Sequence, residues 1–481
     1  MRHLALAAIA LAAVLAAGCA NLAPGYTRPE APVPAAWPAL PAASPAAPGT
    51  AVVPGAAAAE LGWRDFFIDD RLRRLIELTL VQNRDLRVAA LNIERARAQY
   101  RIQAAAELPA VNATGSATRQ HQPASVSSTG QARTTGQYSA QLALASYEID
   151  VFGRVRNLSE AALQSFFASE STRRSTQISL VADTAAAWLT LAADQQRLAL
   201  AQQTLKARED SYGLTRRAYE LGGQSGLTLI QAQTTVDTAR VDVAAYTAQV
   251  QQSRNALNLL AGAPVPAELL PGGPIAPVAA LIEVPPDLPS TVLQQRPDVI
   301  AAEHQLQGSH ASIGAARAAF FPRITLTAAA GVASNGLSAL FDGGNGAWSF
   351  VPSITLPIFN AGSNEANLRV AEVQRDIQLA TYEKTLQTAF REVADALAQR
   401  STLGERLAAQ QSLADATGRT LELSQARFRS GADSYLEVLD AQRSLYAAQQ
   451  TLITLRLAEQ TNRLTLYRVL GGGWNDRAPN G

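Results

Sequence analysis

Two carboxylates, Glu437 and Asp440, stand three residues apart in the run FRSGADSYLEVLDAQR, Phe428 to Arg443. On a helix that spacing puts both on one face. Carboxylates brought together resist full ionisation and attract cations. Glu437 also has a local reading. Ser434-Tyr435-Leu436-Glu437 fits the S-x-x-E capping box, and an acid in the first helical turn suits the helix dipole. Asp440 lies beyond that role. A blurred copy of the run, YELGGQSGLTLIQAQT from Tyr219 to Thr234, lacks both acids. Gly431 matches Gly222 and Leu436 matches Leu227 at one offset, 431 − 222 = 209.

A second chemistry sits near the start. The chain's one cysteine, Cys19, follows Ala16-Ala17-Gly18. Ahead of these lie Arg2, His3 and an apolar run from Leu4 to Leu15. A basic start before a short apolar core is a secretory signal, 1–18, too short to persist as a membrane span. A thiol at the cleavage point reads as a lipobox cysteine, although Ala16 stands where the lipobox has Leu. Acylation, with chains of the palmitate class, would leave three of them on Cys19 and a stable anchor. Ala20 rather than Asp follows, which resembles the sorting signal of bacterial outer-membrane lipoproteins. A lone acylated thiol leaves no disulfide. Of the histidines, His3 leaves with the signal, and His304 and His310 lack the i, i+4 spacing that stacks ligands on a helix. With no G-x-S-x-G, Walker sequence or paired Cys, the expectation is no metal, no cofactor beyond the lipid, no catalytic residue and no enzyme.

The elements that must position these residues follow from composition. Hydrophobic residues make up 47% and aromatics only 6%, which suits long, closely packed helices. A net charge of +1 argues for no nucleic acid. Of the 24 prolines, nine lie between Asn21 and Glu60 and nine more between Gly262 and Ile300. They divide the chain into a lipidated, extended tether at 19–60, a first repeat at 61–261, a connector at 262–290, a second repeat at 291–471 and a tail at 472–481. Each repeat is predicted to hold a helix, two strands, a very long helix, a tip turn and a return helix. The strands are 110–121 and 137–149 in the first repeat, and 323–333 and 347–358 in the second. The long helices are 153–221 and 362–430, and the return helices 227–261 and 435–470. Gly153 and Gly362 again differ by 209, so this is an internal duplication.

The strands alternate apolar and polar residues, as in Tyr138, Ala140, Leu142 and Leu144 against Ser139 and Gln141. Runs of roughly ten residues suit membrane-crossing β-strands. Pro352 and Pro357 count against the fourth as a central strand. Four strands cannot close a membrane barrel, and an open edge facing lipid is forbidden. Several chains must therefore share one barrel, and three would give twelve strands. Each long helix would span ~100 Å at ~1.5 Å per residue, a length that suits crossing a periplasm. A second reading is a lipid-anchored periplasmic scaffold with no pore.

The segments LAAGC, GWRDFFIDDRLRRLIELTLVQNRDLRVAALNIERARAQY, ELPAV, YEIDVFGRVRN, FFPRITL, LPIFNAG and SYLEVLDAQRSLY, in this order, resemble the TolC-like outer membrane factor family. Within it, the NodT-like efflux lipoproteins are the most similar branch. The resemblance runs from Leu61 to Leu470. It implies a mainly α fold with a small β part. Three copies would share a twelve-stranded outer-membrane barrel and a twelve-helix periplasmic α-barrel, with the connector in a belt between. It implies an exit duct for small molecules, partnered by a periplasmic adaptor and an inner-membrane RND pump. A duct for type I protein secretion is the alternative within that class. Gly222, Gly223 and Gly431 would form the tip turns where the adaptor docks. Leu436, Glu437 and Asp440 would line the periplasmic constriction, with three Asp440 side chains as an acidic ring. Phe428, Asp433 and Thr228 fall where some members carry Tyr, Arg and Asp in a gating latch, so the latch itself is not carried over.

Overall fold

A computed structural model describes residues 21–38, 52–54, 60–128, 130–284 and 288–473. The signal, Cys19 and the end of the tail lie outside the described residues. The first repeat opens with helices α1 (Trp63–Phe66), α2 (Asp70–Gln82) and α3 (Arg84–Ala105). Strands β2 (Val111–Gln122) and β3 (Arg133–Ile149) follow, then helices α4 (Arg154–Glu220) and α5 (Gly226–Ala261). The second repeat holds α6 (Pro297–Ala318), β5 (Arg323–Ser334), β6 (Gly346–Thr355), α7 (Ser363–Arg429) and α8 (Tyr435–Val469). Two short strands, β1 (Val52–Pro54) and β4 (Leu281–Glu283), lie outside the repeats.

Helices α4 and α7 are each 67 residues long and carry no proline. Their alanines favour helix. Their threonines close on their own backbone: Thr176, Thr184 and Thr190 each donate to the carbonyl four residues back. The single helix expected before β2 is instead broken at Asn83. Asn83 Oδ1 accepts the Leu86 N–H at 2.9 Å and so caps α3, while Asn83 Nδ2 donates to the Leu260 carbonyl at 2.9 Å.

The chain divides into two compact units. One comprises the N-terminal stretch up to Glu30, Asn92–Glu170 and Ala301–Tyr382. It contains an antiparallel sheet in the order β2-β3-β5-β6. The register sets Val111 opposite Leu144, Leu142 opposite Ala330, and Ala330 opposite Trp348. One face is therefore apolar across all four strands as far as Ala117 and Tyr138, beyond which Arg119, His121 and Thr134 continue it at the loop end, while Asn112, Thr114, Ser139, Gln141, Thr325 and Ser353 populate the other. Within one chain nothing covers the apolar face: Trp348 is 81% exposed and Ile354 69%. A bulge in β3 keeps it continuous. Leu144 pairs with Ala328 but Tyr147 pairs with Leu326, so three residues of β3 oppose two of β5. Ser146 takes φ 51° there. The extra residue reverses the parity and returns Tyr147 and Ile149 to the apolar face. Strict alternation from Leu144 would put Glu148 there. Instead Glu148 pairs with Arg154 at 2.7 Å and Arg323 at 2.6 Å. The fourth strand forms through Pro352, which sits opposite Leu326. Within the chain β6 is an edge strand, where a missing N–H is tolerated. The strand stops at Thr355, before Pro357.

The other unit comprises Ala31–Leu91, Ser171–Ile300 and residues from Glu383 onward. Its core gathers Trp63, Phe66, Leu72, Leu75 and Ile76, all fully buried, with Phe66 stacked on Tyr467 at 3.8 Å. The tether is not a free spacer where it is described. Trp37 stacks on Phe390 at 5.2 Å and donates its indole N–H to the Phe390 carbonyl at 3.0 Å. β1 pairs in parallel with β4 of the connector. In the first unit, Tyr26 and Arg28 both bond the buried Glu303, at 2.9 and 2.8 Å. The aromatic and charged residues among the prolines override the spacer composition. No described helix is long and apolar enough to cross a membrane.

Candidate functional site at the two hairpin tips

The second unit presents two helical hairpin tips, α4 to α5 and α7 to α8. Both turns close in the same way. Gly223 N–H donates to the Ala218 carbonyl at 2.7 Å and Gly222 N–H to Tyr219 at 2.9 Å. Ala432 N–H donates to Arg427 at 2.9 Å and Gly431 N–H to Phe428 at 3.0 Å. This paired pattern ends a helix through one left-handed residue. Gly222 at φ 77° and Gly431 at φ 76° supply it. Gly223 has no such need. Its φ is not positive, a Cβ there would meet only Ala218 O at 3.4 Å, and its counterpart is Ala432.

The tips then diverge. In the first, Ser225 Oγ accepts the Thr228 N–H at 3.1 Å and caps α5. In the second, the expected capping box does not form. Ser434 makes no side-chain cap bond, and the Glu437 N–H goes to the Ser434 carbonyl at 3.3 Å. The backbone takes the donor that the hydroxyl would have taken, so Glu437 is left with the dipole alone. The second tip has an ion pair that sequence reasoning missed. Arg427 Nε and Nη2 clasp Asp433 at 2.6 and 2.8 Å across the turn. That guanidinium holds the Asp433 carboxyl below its ordinary value. The equivalent first-copy residues are Ala218 and Gln224, which cannot pair this way. The signal was an Arg and an Asp flanking the turn glycine.

Leu436, Glu437 and Asp440 lie together on the exposed face of α8, one helical turn long and continued by Arg443. The opposite face buries Tyr435, Val438 and Leu439 against Ala232 of the first hairpin, with Tyr212, Leu421 and Phe428 around them. Phe428 packs on Tyr435 at 5.3 Å. Across the hairpins, Ser211 Oγ and Tyr435 Oη are 3.1 Å apart, and Arg197 Nη2 donates to Thr454 Oγ1 at 3.1 Å. The arrangement orders a rigid helix face with an apolar residue, two acids and a base in sequence. Its two carboxylates can attract cations.

The outer membrane efflux protein family matches the chain over 75–263 and 288–472, one stretch per repeat. The toluene efflux pump outer membrane protein TtgC of Pseudomonas putida is 51% identical over 473 residues, covering 98% of this chain and 96% of that protein. Outer membrane protein OprJ of Pseudomonas aeruginosa is 43% identical, covering 99% and 98%. Among solved structures, the open state of the Neisseria gonorrhoeae MtrE outer membrane channel superposes with a TM-score of 0.84 at 37% identity, covering 94% of this chain and 98% of that one. The duplicated strand-and-hairpin architecture and these matches place the chain in the outer membrane efflux protein family, with the fold of the TolC-like channels.

Proposed function

We propose that three copies of this chain form the outer-membrane exit duct of a tripartite efflux system. The observation that carries this reading is the four-stranded sheet, with an apolar band on one face across all four strands and with β2 and β6 as unpaired edges. Such edges are untenable in lipid, where each unpaired amide costs several kcal/mol. Three copies pairing β6 to β2 leave no edge and give twelve strands. The helical hairpins supply the periplasmic duct, with the exposed α8 faces turned inward. Leu436 and Asp440 then form an apolar ring and an acidic ring, and Glu437 lies beside them. Three like charges at close quarters favour cations over anions. Cargo of the apolar kind named for TtgC fits a duct whose energy comes from an adaptor and an inner-membrane RND pump. The tip turns at Gly222 and Gly431 are the adaptor's contact. Acylation of Cys19 anchors the chain to the outer membrane.

The test is single-channel recording of the detergent-extracted protein in a planar bilayer, beside Asp440→Ala. Small cation-selective currents that grow or lose selectivity in the variant are expected. Absence of conductance from both proteins, with native mass measurement finding no trimer, overturns the duct. Intact mass of the membrane-extracted chain tests the anchor: Cys19→Ser should lose the mass of three acyl chains.

A further inference from the structure

At the foot of the sheet, where β3 leads into α4 and α6 into β5, lies a cavity of about 310 Å³. Phe152 and Phe321 form an apolar wall with Pro322 and Pro357. The two rings stack at 4.8 Å, and Phe321 is 41% exposed. Arg154 and Arg323 line the same cavity, together with the carboxylates of Glu148 and Asp150. Both carboxylates are already engaged. Glu148 Oε1 accepts from Arg154 Nε at 2.8 Å, and its Oε2 accepts from Arg154 Nη2 at 2.7 Å and Arg323 Nε at 2.6 Å. Asp150 Oδ2 accepts the Arg156 backbone N–H at 2.8 Å and pairs with the Arg156 guanidinium at 3.8 Å. The Glu148 and Asp150 side chains are 10% and 13% exposed, against 33% for Arg154 and 56% for Arg323. Arg154 Nη1 and both Nη atoms of Arg323 have no partner among the described residues.

Three arginines and two carboxylates leave this cluster at 3 − 2 = +1, and its accessible part is the cationic part. No other charged residue stands on the polar face of the four strands short of Arg133 at the loop end. Guanidinium N–H groups match the paired oxygens of a carboxylate or sulfonate. Phenyl rings beside them match a flat apolar body. An inorganic ion would leave the phenyl wall in water. A neutral hydrocarbon would cover N–H groups and give them no acceptor. The volume lies at the lower end of small-molecule pockets, about 300–1,000 Å³. We propose that this cavity binds a small organic anion, with its flat apolar body on Phe152 and Phe321 and its carboxylate or sulfonate on Arg323 and Arg154. The site lies within one chain, so the inference does not depend on the duct reading.

The experiment titrates the full chain in lipid nanodiscs with naphthalene sulfonate, with empty nanodiscs as the baseline. Saturable binding, one sulfonate per chain, is expected. The neutral naphthalene methanol and the cationic naphthyl trimethylammonium should bind at least tenfold more weakly. Arg323→Gln should weaken the sulfonate about tenfold or more, as one lost charge-assisted hydrogen bond implies, and leave naphthalene methanol unchanged. In that variant Arg154 still holds both Glu148 oxygens, so the foot of the sheet keeps its ion pair. Phe321→Leu should weaken the sulfonate and the methanol together. Crystals soaked in bromonaphthalene sulfonate should show bromine density against Phe152 and Phe321. Equal binding of the three compounds, or sulfonate binding unchanged in Arg323→Gln, overturns the proposal. So does density in the cavity from a lipid acyl chain or from a side chain of a neighbouring copy. If Arg323→Gln does not fold, the three compounds on the wild type and Phe321→Leu decide it. Channel currents play no part in these readouts, so a failure here leaves the duct reading standing.

Discussion

Gly262→Ala should destabilise the chain far more than Gly431→Ala, although both glycines are left-handed. Gly262 ends α5 at φ 70° and Gly431 ends α7 at φ 76°. The left-handed conformation alone costs a non-glycine residue roughly 1–2 kcal/mol. Around Gly431 a Cβ meets nothing within 4 Å, so that strain is the whole effect. At Gly262 a Cβ would lie 2.4 Å from Gln82 O, 2.7 Å from Gln82 C and 3.1 Å from Asn83 Cα. Ordinary contact begins at 3.4 Å, so backbone must retreat by 3.4 − 2.4 = 1.0 Å. Gln82 and Asn83 belong to the break that joins α2 to α3, and a shift there strains both Asn83 bonds. Losing the cap on α3 costs about 0.5–2 kcal/mol, and losing the bond to Leu260 about 0.5–1.5 kcal/mol. The total for Gly262→Ala is about 2–5.5 kcal/mol, against ~1–2 for Gly431→Ala. Because large membrane assemblies unfold irreversibly, the comparison is best read as inactivation half-lives at one temperature, both variants side by side in detergent. Equal half-lives would show that α5 and the Gln82–Asn83 break do not meet as described.

Deleting Ser146 alone should be tolerated, because β3 then pairs residue for residue with β5 and keeps Tyr147 on the apolar face, whereas deleting Ala145 and Ser146 together should abolish assembly by turning Glu148 onto that face; heat-resistant oligomer on a gel is the readout. Trp37→Ala should free the N-terminal strap at a cost of about 3–5 kcal/mol, seen as faster proteolysis before Glu60. His310 packs edge-on against Tyr26 at 5.6 Å, and burial, with the Arg375 charge adding, holds its imidazole below its ordinary value. The unfolded chain then binds the proton first, so stability falls as pH drops below about 6.5. Strap proteolysis should quicken from pH 7.5 to pH 5 in the wild type, and less so in His310→Gln. Asp433→Asn should loosen the second tip, while Gln224→Ala leaves the first unchanged, measured by amide exchange at the two turns.

Much of this molecule follows from local pattern. A 209-residue offset, two proline-free tracts and four alternating runs are enough to specify two copies of strand, strand and hairpin. The forbidden edge then requires several chains to share one barrel. These conclusions rest on periodicity and on backbone chemistry, which act within a few residues and need no knowledge of neighbours. Tertiary structure alone decided the rest. Whether Ser434 caps its helix depended on which acceptor the Glu437 N–H reached first. The break at Asn83 depended on the Leu260 carbonyl, 177 residues away. The proline-rich tether was held down by Phe390 and Glu303, partners that no stretch of it reveals. The parity change at Ser146 shows only when β3 is laid against β5, because a bulge is a property of a pair of strands. Arg208 looks like any helix arginine until the packing of α4 against α8 removes its water and leaves its Nε without a partner.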